Sequence, residues 1–88
     1  MIRAQAYALI DAERIRQAEK WNKYHVWGRG DCSSYAVAPI VKVAVLTEEC
    51  GEVARAVLDE SPVADLRAEL VQVAAVAVAW LESLPVAP

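Results

Sequence analysis

Leu66-Arg67-Ala68-Glu69-Leu70-Val71-Gln72-Val73-Ala74-Ala75-Val76-Ala77-Val78-Ala79-Trp80-Leu81 is the stretch on which the fold turns. Val71, Val73, Val76 and Val78 are β-branched and partly alternate, which imitates a strand. Its length and the absence of turn signals decide for a helix. Ser61-Pro62 reads as an N-cap followed by a first-turn proline, and Pro85 ends the segment. The predicted helix therefore covers about residues 62–84, with Asp65 in its first turn to suit the dipole. From Leu70 to Leu81 it is apolar nearly all round, so it is expected to lie between other helices, which its Ala and Val side chains let come close. Glu69 is the exception. On a helical wheel it falls among Val73, Val76 and Trp80, where an isolated carboxylate is expensive to keep ionised. It is expected to be metal-bound, protonated or paired, with Arg55, Arg67 or an arginine of the first helix as salt-bridge candidates.

Working outward, Pro39 suits the first position of a second helix that runs to about residue 59. Val43, Leu46, Cys50, Val53, Ala54 and Val57 are its predicted apolar face. Late in this helix stands Glu48-Glu49-Cys50-Gly51-Glu52, three carboxylates within five residues. Glu48 and Glu52 are i,i+4 neighbours, and Glu49 and Glu52 are i,i+3 neighbours, so all three project from one arc. Like charges at that spacing weaken a helix, and a divalent cation is the simplest compensation. Val41, Val45 and Ala56 lie within or beside the arc, where a solvated face would carry Lys, Gln or Arg, which places the acids on a partly enclosed surface. An antiparallel pairing of the two helices faces Glu48, Glu49 and Glu52 toward Glu69 and Gln72. Four carboxylates and an amide oxygen suit Mg²⁺ or Mn²⁺, not zinc. Paired carboxylates also serve glycoside hydrolysis, but a small helical bundle offers no evident sugar cleft.

Residues 2 to about 24 lack Gly and Pro and are rich in helix formers. Ile10, Arg14, Gln17, Trp21 and Tyr24 share one side of this first helix, with Glu13 and Lys20 at its edge. Between the first two helices, residues 25–38 read as a loop, broken by Gly28 and Gly30 and carrying His25, Trp27, Arg29 and Tyr35. A lone His in such a place is more often a surface or capping group than a ligand. Gly28-Arg29-Gly30 lacks the strand and helix context of a phosphate loop, and Arg29-Gly30-Asp31 matches an integrin-binding tripeptide by chance.

Eighty-eight residues make a single domain, 1–88, yet 57% of them are apolar. That excess predicts a homo-oligomer built on apolar helix faces. A net charge of −3, a pI near 5.0 and no basic stripe argue against nucleic acid. Leu70 to Leu81 is too short to span a bilayer, and no signal peptide is recognisable. Cys32 and Cys50 lack metal spacing and are expected to be free thiols in a cytoplasmic protein.

Glu48-Glu49-Cys50-Gly51-Glu52 followed by Glu69-Leu70-Val71-Gln72 resembles the two-part signature of the MazG-like, all-alpha nucleotide pyrophosphohydrolases: Glu-Glu-x-x-Glu, a spacer, then Glu-x-x-Asp. Glu13-Arg14 through Lys20-Trp21 and the Leu66–Leu84 segment look like small actinobacterial and phage members, so the resemblance covers the chain outside 25–38. It implies an all-α fold of three main helices in an oligomeric bundle, a dimer or tetramer with sites completed between subunits. It also implies Mg²⁺-dependent cleavage of a nucleoside triphosphate to the monophosphate and pyrophosphate. Glu48, Glu49, Glu52 and Glu69 match the metal-site acids, with Glu49 or Glu52 orienting or deprotonating the attacking water. Gln72 stands where the signature has Asp, and Val73 to Leu81 lacks the family's basic residues. Phosphate contacts are then expected from Lys20, Arg14, Arg29, Lys42 or a neighbouring subunit, and base contacts from Gln17 and Trp21. Two alternatives stand beside this reading: a catalytically degenerate nucleotide- or metal-binding module of the same fold, and an acidic helical oligomer whose acids are only surface or salt-bridged.

Overall fold

The computed structural model describes residues 1–87. Among them the chain forms α1 (Arg3–Lys20), a short hairpin of β1 (Tyr24–His25) and β2 (Gly28–Arg29), α2 (Pro39–Leu58) and α3 (Val63–Glu82). About two thirds of the described residues are helical, so the all-α expectation holds. Among the described residues no helix is long and apolar enough to cross a membrane.

α3 is the central element. It packs against α2 on one side and α1 on the other, while α1 and α2 do not pack on each other. The small side chains of Ala75 and Ala79, both fully enclosed, permit the close approach. The innermost cluster joins Val76 and Ala79 of α3 to Cys32 of the connecting loop, with Val45 and Leu46 of α2 against it. Among the described residues no large side chain is fully buried.

Helix ends follow local chemistry. α1 stops four residues short of the predicted end because Trp21 leaves the helical region as C-cap (φ −102°, ψ 9°) and Tyr24 pairs with Arg29 across the hairpin. Tyr24 thus leaves the predicted stripe and is exposed. The hairpin turn depends on Gly28 (φ +132°), where an added Cβ would lie 2.1 Å from the Ala36 carbonyl oxygen. Pro39 begins α2 as expected. α2 closes with Glu60 in the left-handed region (φ 52°). The Ser61 N–H donates to Ala56 O at 2.9 Å and the Glu60 N–H to Val57 O at 3.2 Å, a Schellman arrangement with Glu in place of the usual glycine. Pro62, not Ser61, is the N-cap of α3, and no side chain caps it.

The face that α2 buries differs from the predicted one. Lys42, Val45, Glu49, Val53 and Ala56 turn inward, whereas Val43, Cys50, Ala54 and Val57 are exposed. The inward face is centred on Glu49, about a quarter turn from the predicted apolar centre on a 100° wheel. A helix with apolar residues on every side gives hydropathy little power to choose among faces. Packing on α3 and the Lys42 Nζ hydrogen bond to Ser83 Oγ (2.9 Å) fix the choice.

Candidate functional site

Because α1 and α2 straddle α3 without meeting, a groove of about 310 Å³ opens between them. α1 supplies Arg16, Gln17, Lys20 and Trp21, and α2 supplies Val41, Val45, Glu48 and Glu49. Gln72 and Val76 of α3 form the floor. The hairpin turn closes one side with Trp27, and the loop after the hairpin adds Asp31, Cys32 and Val37. One end is aromatic and the other acidic.

The acidic end is built on Glu49. Its Oε2 and that of Glu69 are both buried without a hydrogen-bond partner. Burial pushes the Glu49 carboxyl above its ordinary range, and the charges of Glu69, Glu48, Glu52 and Glu13 push it further. The salt bridge considered for Glu69 does not form: neither Arg55 nor Arg67 nor an α1 arginine pairs with it. Two orphaned carboxylate oxygens on facing helices, with an amide alongside, are a donor set that fits a hard divalent cation. Among the described residues no three His, Cys, Asp or Glu side chains already converge as a metal cage.

The predicted site residues divide accordingly. Gln17, Lys20, Trp21, Glu48, Glu49 and Gln72 line the groove; Arg14, Glu52 and Glu69 do not. Glu52 and Glu69 act on the site through the charge that Glu49 senses. Arg14 is committed elsewhere, donating from Nη1 to Asp31 Oδ2 at 2.7 Å and from Nε to Glu82 Oε2 at 2.6 Å. Of the other phosphate candidates, Arg29 stacks over Tyr24 (5.0 Å), and Lys42 is buried against Ser83. Lys20 remains, its Nζ 5.2 Å from the Trp21 ring.

Several lining residues lay outside the predicted set. Arg16 holds Glu13 with two hydrogen bonds of 2.8 and 2.6 Å, keeping that carboxyl below its usual range, and Gln17 Nε2 donates to the same carboxylate at 3.3 Å. The i,i+3 spacing of Glu13 and Arg16 was the available signal. Trp27 reaches the groove only because the hairpin folds the loop back, and no local pattern announces that. His25 packs edge-on to Trp21 with centroids 5.3 Å apart. Its Nε2 faces Gly30 O at 2.7 Å and its Nδ1 accepts from the Trp27 N–H at 3.3 Å, so the Nε2–H tautomer serves both bonds and the ring belongs to the hairpin. Burial, reinforced by Asp31, raises the Cys32 thiol above its ordinary value, which opposes a thiolate nucleophile. Cys50 is exposed, and both cysteines are free.

Comparison with protein-family models, with curated proteins and with solved structures returned no match to this chain.

Proposed function

We propose that this groove is the substrate site of a Mg²⁺-dependent nucleoside triphosphate pyrophosphohydrolase of the MazG-like, all-alpha kind, active as a homodimer or tetramer. The observation that carries the reading is a pair of buried, unpartnered oxygens, one on Glu49 at the acidic end of a groove whose other end is aromatic and one on Glu69 of the facing helix. Glu48, Glu49, Glu52, Glu69 and Gln72 would hold the cation, with Mn²⁺ as an alternative to Mg²⁺. When bound, it neutralises charge developing on the phosphate oxygens.

The remaining roles belong to the chain. Trp21 and Trp27 offer rings to a base, Gln17 offers an amide, and Lys20, also in the lining, offers a cation for phosphate. Water attacks the α-phosphorus, the bond to the bridging oxygen breaks, and pyrophosphate leaves with that electron pair. Glu49 would take the water proton on the oxygen that does not face the cation. Glu52 is the alternative base.

The test is a panel of ribo- and deoxynucleoside triphosphates with Mg²⁺ or Mn²⁺, followed by pyrophosphate release. Wild type is expected to turn over at least one of them, and Glu49→Ala to lose about 100-fold or more of that activity. Absence of turnover by wild type, or equal turnover by the variant, removes the hydrolase reading. Gln72 on the groove floor favours a second reading, a nucleotide- and metal-binding module without hydrolysis. Calorimetric binding of nucleotide with no pyrophosphate release would select it.

A further inference from the structure

We infer that the outer face of α3 is an interface for a second copy of this chain, seated antiparallel across a two-fold axis that passes between Ala74 and Ala77. The inference rests on the oligomer in the reading above and not on its nucleotide chemistry. Leu70, Ala74, Ala77, Leu81 and Leu84 follow one another at alternating spacings of four and three, the repeat of a helix–helix seam. Leu84 lies just past the C-cap, Ser83. On a 100° wheel the stripe stands about half a turn from Gln72 on the groove floor, so a partner on it leaves that groove open. α1 and α2 flank α3 without covering the stripe: Leu70, Leu81 and Leu84 are exposed, whereas Ala75, Val76 and Ala79 are buried. The chain exposes 6329 Å², about 1,200 Å² more than a compact monomer of its mass, and one partner of a stable interface buries about 800 Å².

The pattern of the stripe selects its occupant. A two-fold contact has to be complementary to itself. Leu70, Ala74, Ala77 and Leu81 read the same from either end, large, small, small, large. Turned about an axis between the alanines, Ala74 meets Ala77 of the second copy and Leu70 meets its Leu81. Facing alanines let the helix axes approach to about 8 Å, and the leucines close the seam at both ends. Arg67, three residues before Leu70, sets the direction. It forms no ion pair among the described residues. A parallel pair would set Arg67 against Arg67. The antiparallel pair sets it beside Leu84 of the second copy, at the C-terminal end of a helix whose last turn holds no basic residue. Partial negative charge on the terminal carbonyls favours a cation there, and the apolar stem of Arg67 can lie along the seam.

Light scattering coupled to size exclusion at about 10 µM is expected to give an oligomer for wild type and half that mass or less for Leu81→Glu. Leu81 is 67% exposed, so the substitution spares the fold, which circular dichroism checks. Oxidative cross-linking in a Cys50→Ser background tests the direction. Leu70→Cys and Leu81→Cys together in one chain are expected to give mainly cross-linked dimer, and either alone little. In the antiparallel register two copies of one such residue stand about 16 Å apart along the helix axes, beyond disulfide reach. If the double variant no longer associates, Arg67→Cys with Leu84→Cys repeats the test with Leu70 and Leu81 intact. Cross-linking by each single variant means a parallel pair and overturns the inference, as does an oligomer that survives Leu81→Glu or associated double variants that do not cross-link. A monomeric wild type also overturns it, while pyrophosphate release still decides the hydrolase reading. The expected cross-links in a protein that turns over no nucleotide uphold the interface and fell the hydrolase.

Discussion

At Glu49, α2 places a carboxylate where burial and four other acids oppose its charge: Glu69 from α3, Glu48 and Glu52 from its own helix, and Glu13 from α1. Arg16 on α1 senses the Glu49 charge but is already bonded twice to Glu13. The folded protein thus holds a proton at Glu49 more tightly than the unfolded chain does. Stability falls as pH rises from the ordinary glutamate value, 4.5, through the raised folded value, and the whole cost is present above it. In metal-free buffer Glu49→Gln is expected to melt higher than wild type at pH 7, with the advantage fading as the pH approaches about 4. Added Mg²⁺ should raise the melting temperature of wild type and leave the variant unmoved, since a ligand stabilises only the state that binds it. A variant that melts at or below wild type at pH 7 would show that the acids impose no strain. A carboxylate kept at a cost to the fold is the usual mark of a working group.

The loop and hairpin are held at the level of elements by Arg14, which joins α1 to the loop through Asp31 and to the last turn of α3 through Glu82. The Arg14–Asp31 pair is largely enclosed, at 11% and 7% side-chain exposure, and Asp31 also accepts from the Ser33 N–H at 2.9 Å. The Ser33 bonds and Arg14 hold the Asp31 carboxyl below its usual range against the opposing effect of burial. That stabilisation is present above about pH 3.8, the ordinary Asp value, and is lost as pH falls through the lowered folded one. Arg14→Met leaves the Asp31 charge buried and is expected to cost about 3 kcal/mol in urea unfolding at pH 7. Glu82→Gln, at a half-exposed partner, should cost under about 1 kcal/mol. Equal losses would mean that Arg14 does not act through Asp31. None of this was legible in the chain, because the partners of Arg14 lie 17 and 68 residues away. What was legible is local: the proline that opens α2, the long apolar α3 and the Gln17–Trp21 stripe each follow from spacing and propensity. The inward face of α2 was not, because valines and alanines surround that helix and only its packing on α3 selects the side bearing Glu49.

For the whole molecule, surface area makes the case for self-association. A compact monomer of 9.6 kDa has about 5,100 Å² of accessible surface by the usual scaling with mass. This chain exposes 6329 Å². The excess of about 1,200 Å² exceeds what one partner commonly buries in a stable interface, about 800 Å². Much of it is apolar. A second groove, of about 330 Å³, runs between the N-terminal halves of α1 and α3, lined by Met1, Leu9, Ile10, Val63, Leu66 and Leu70. Its lining shares no residue with the proposed substrate groove, so a second copy seated there would leave that groove open. Light scattering coupled to size exclusion at about 10 µM, above the μM-to-pM dissociation constants that such an interface reaches, is expected to give a dimer or tetramer. Leu70 is 51% exposed, so Leu70→Glu should change the folding of the isolated chain by no more than about 0.5 kcal/mol. The same change puts an unpaired carboxylate in the centre of the interface and should yield monomers. If Leu70→Glu stays assembled while Val57→Glu dissociates, the contact is the exposed strip of α2, whose unburied valines would then be the interface. A monomeric wild type would leave the apolar excess without a role and remove the oligomer from the proposal.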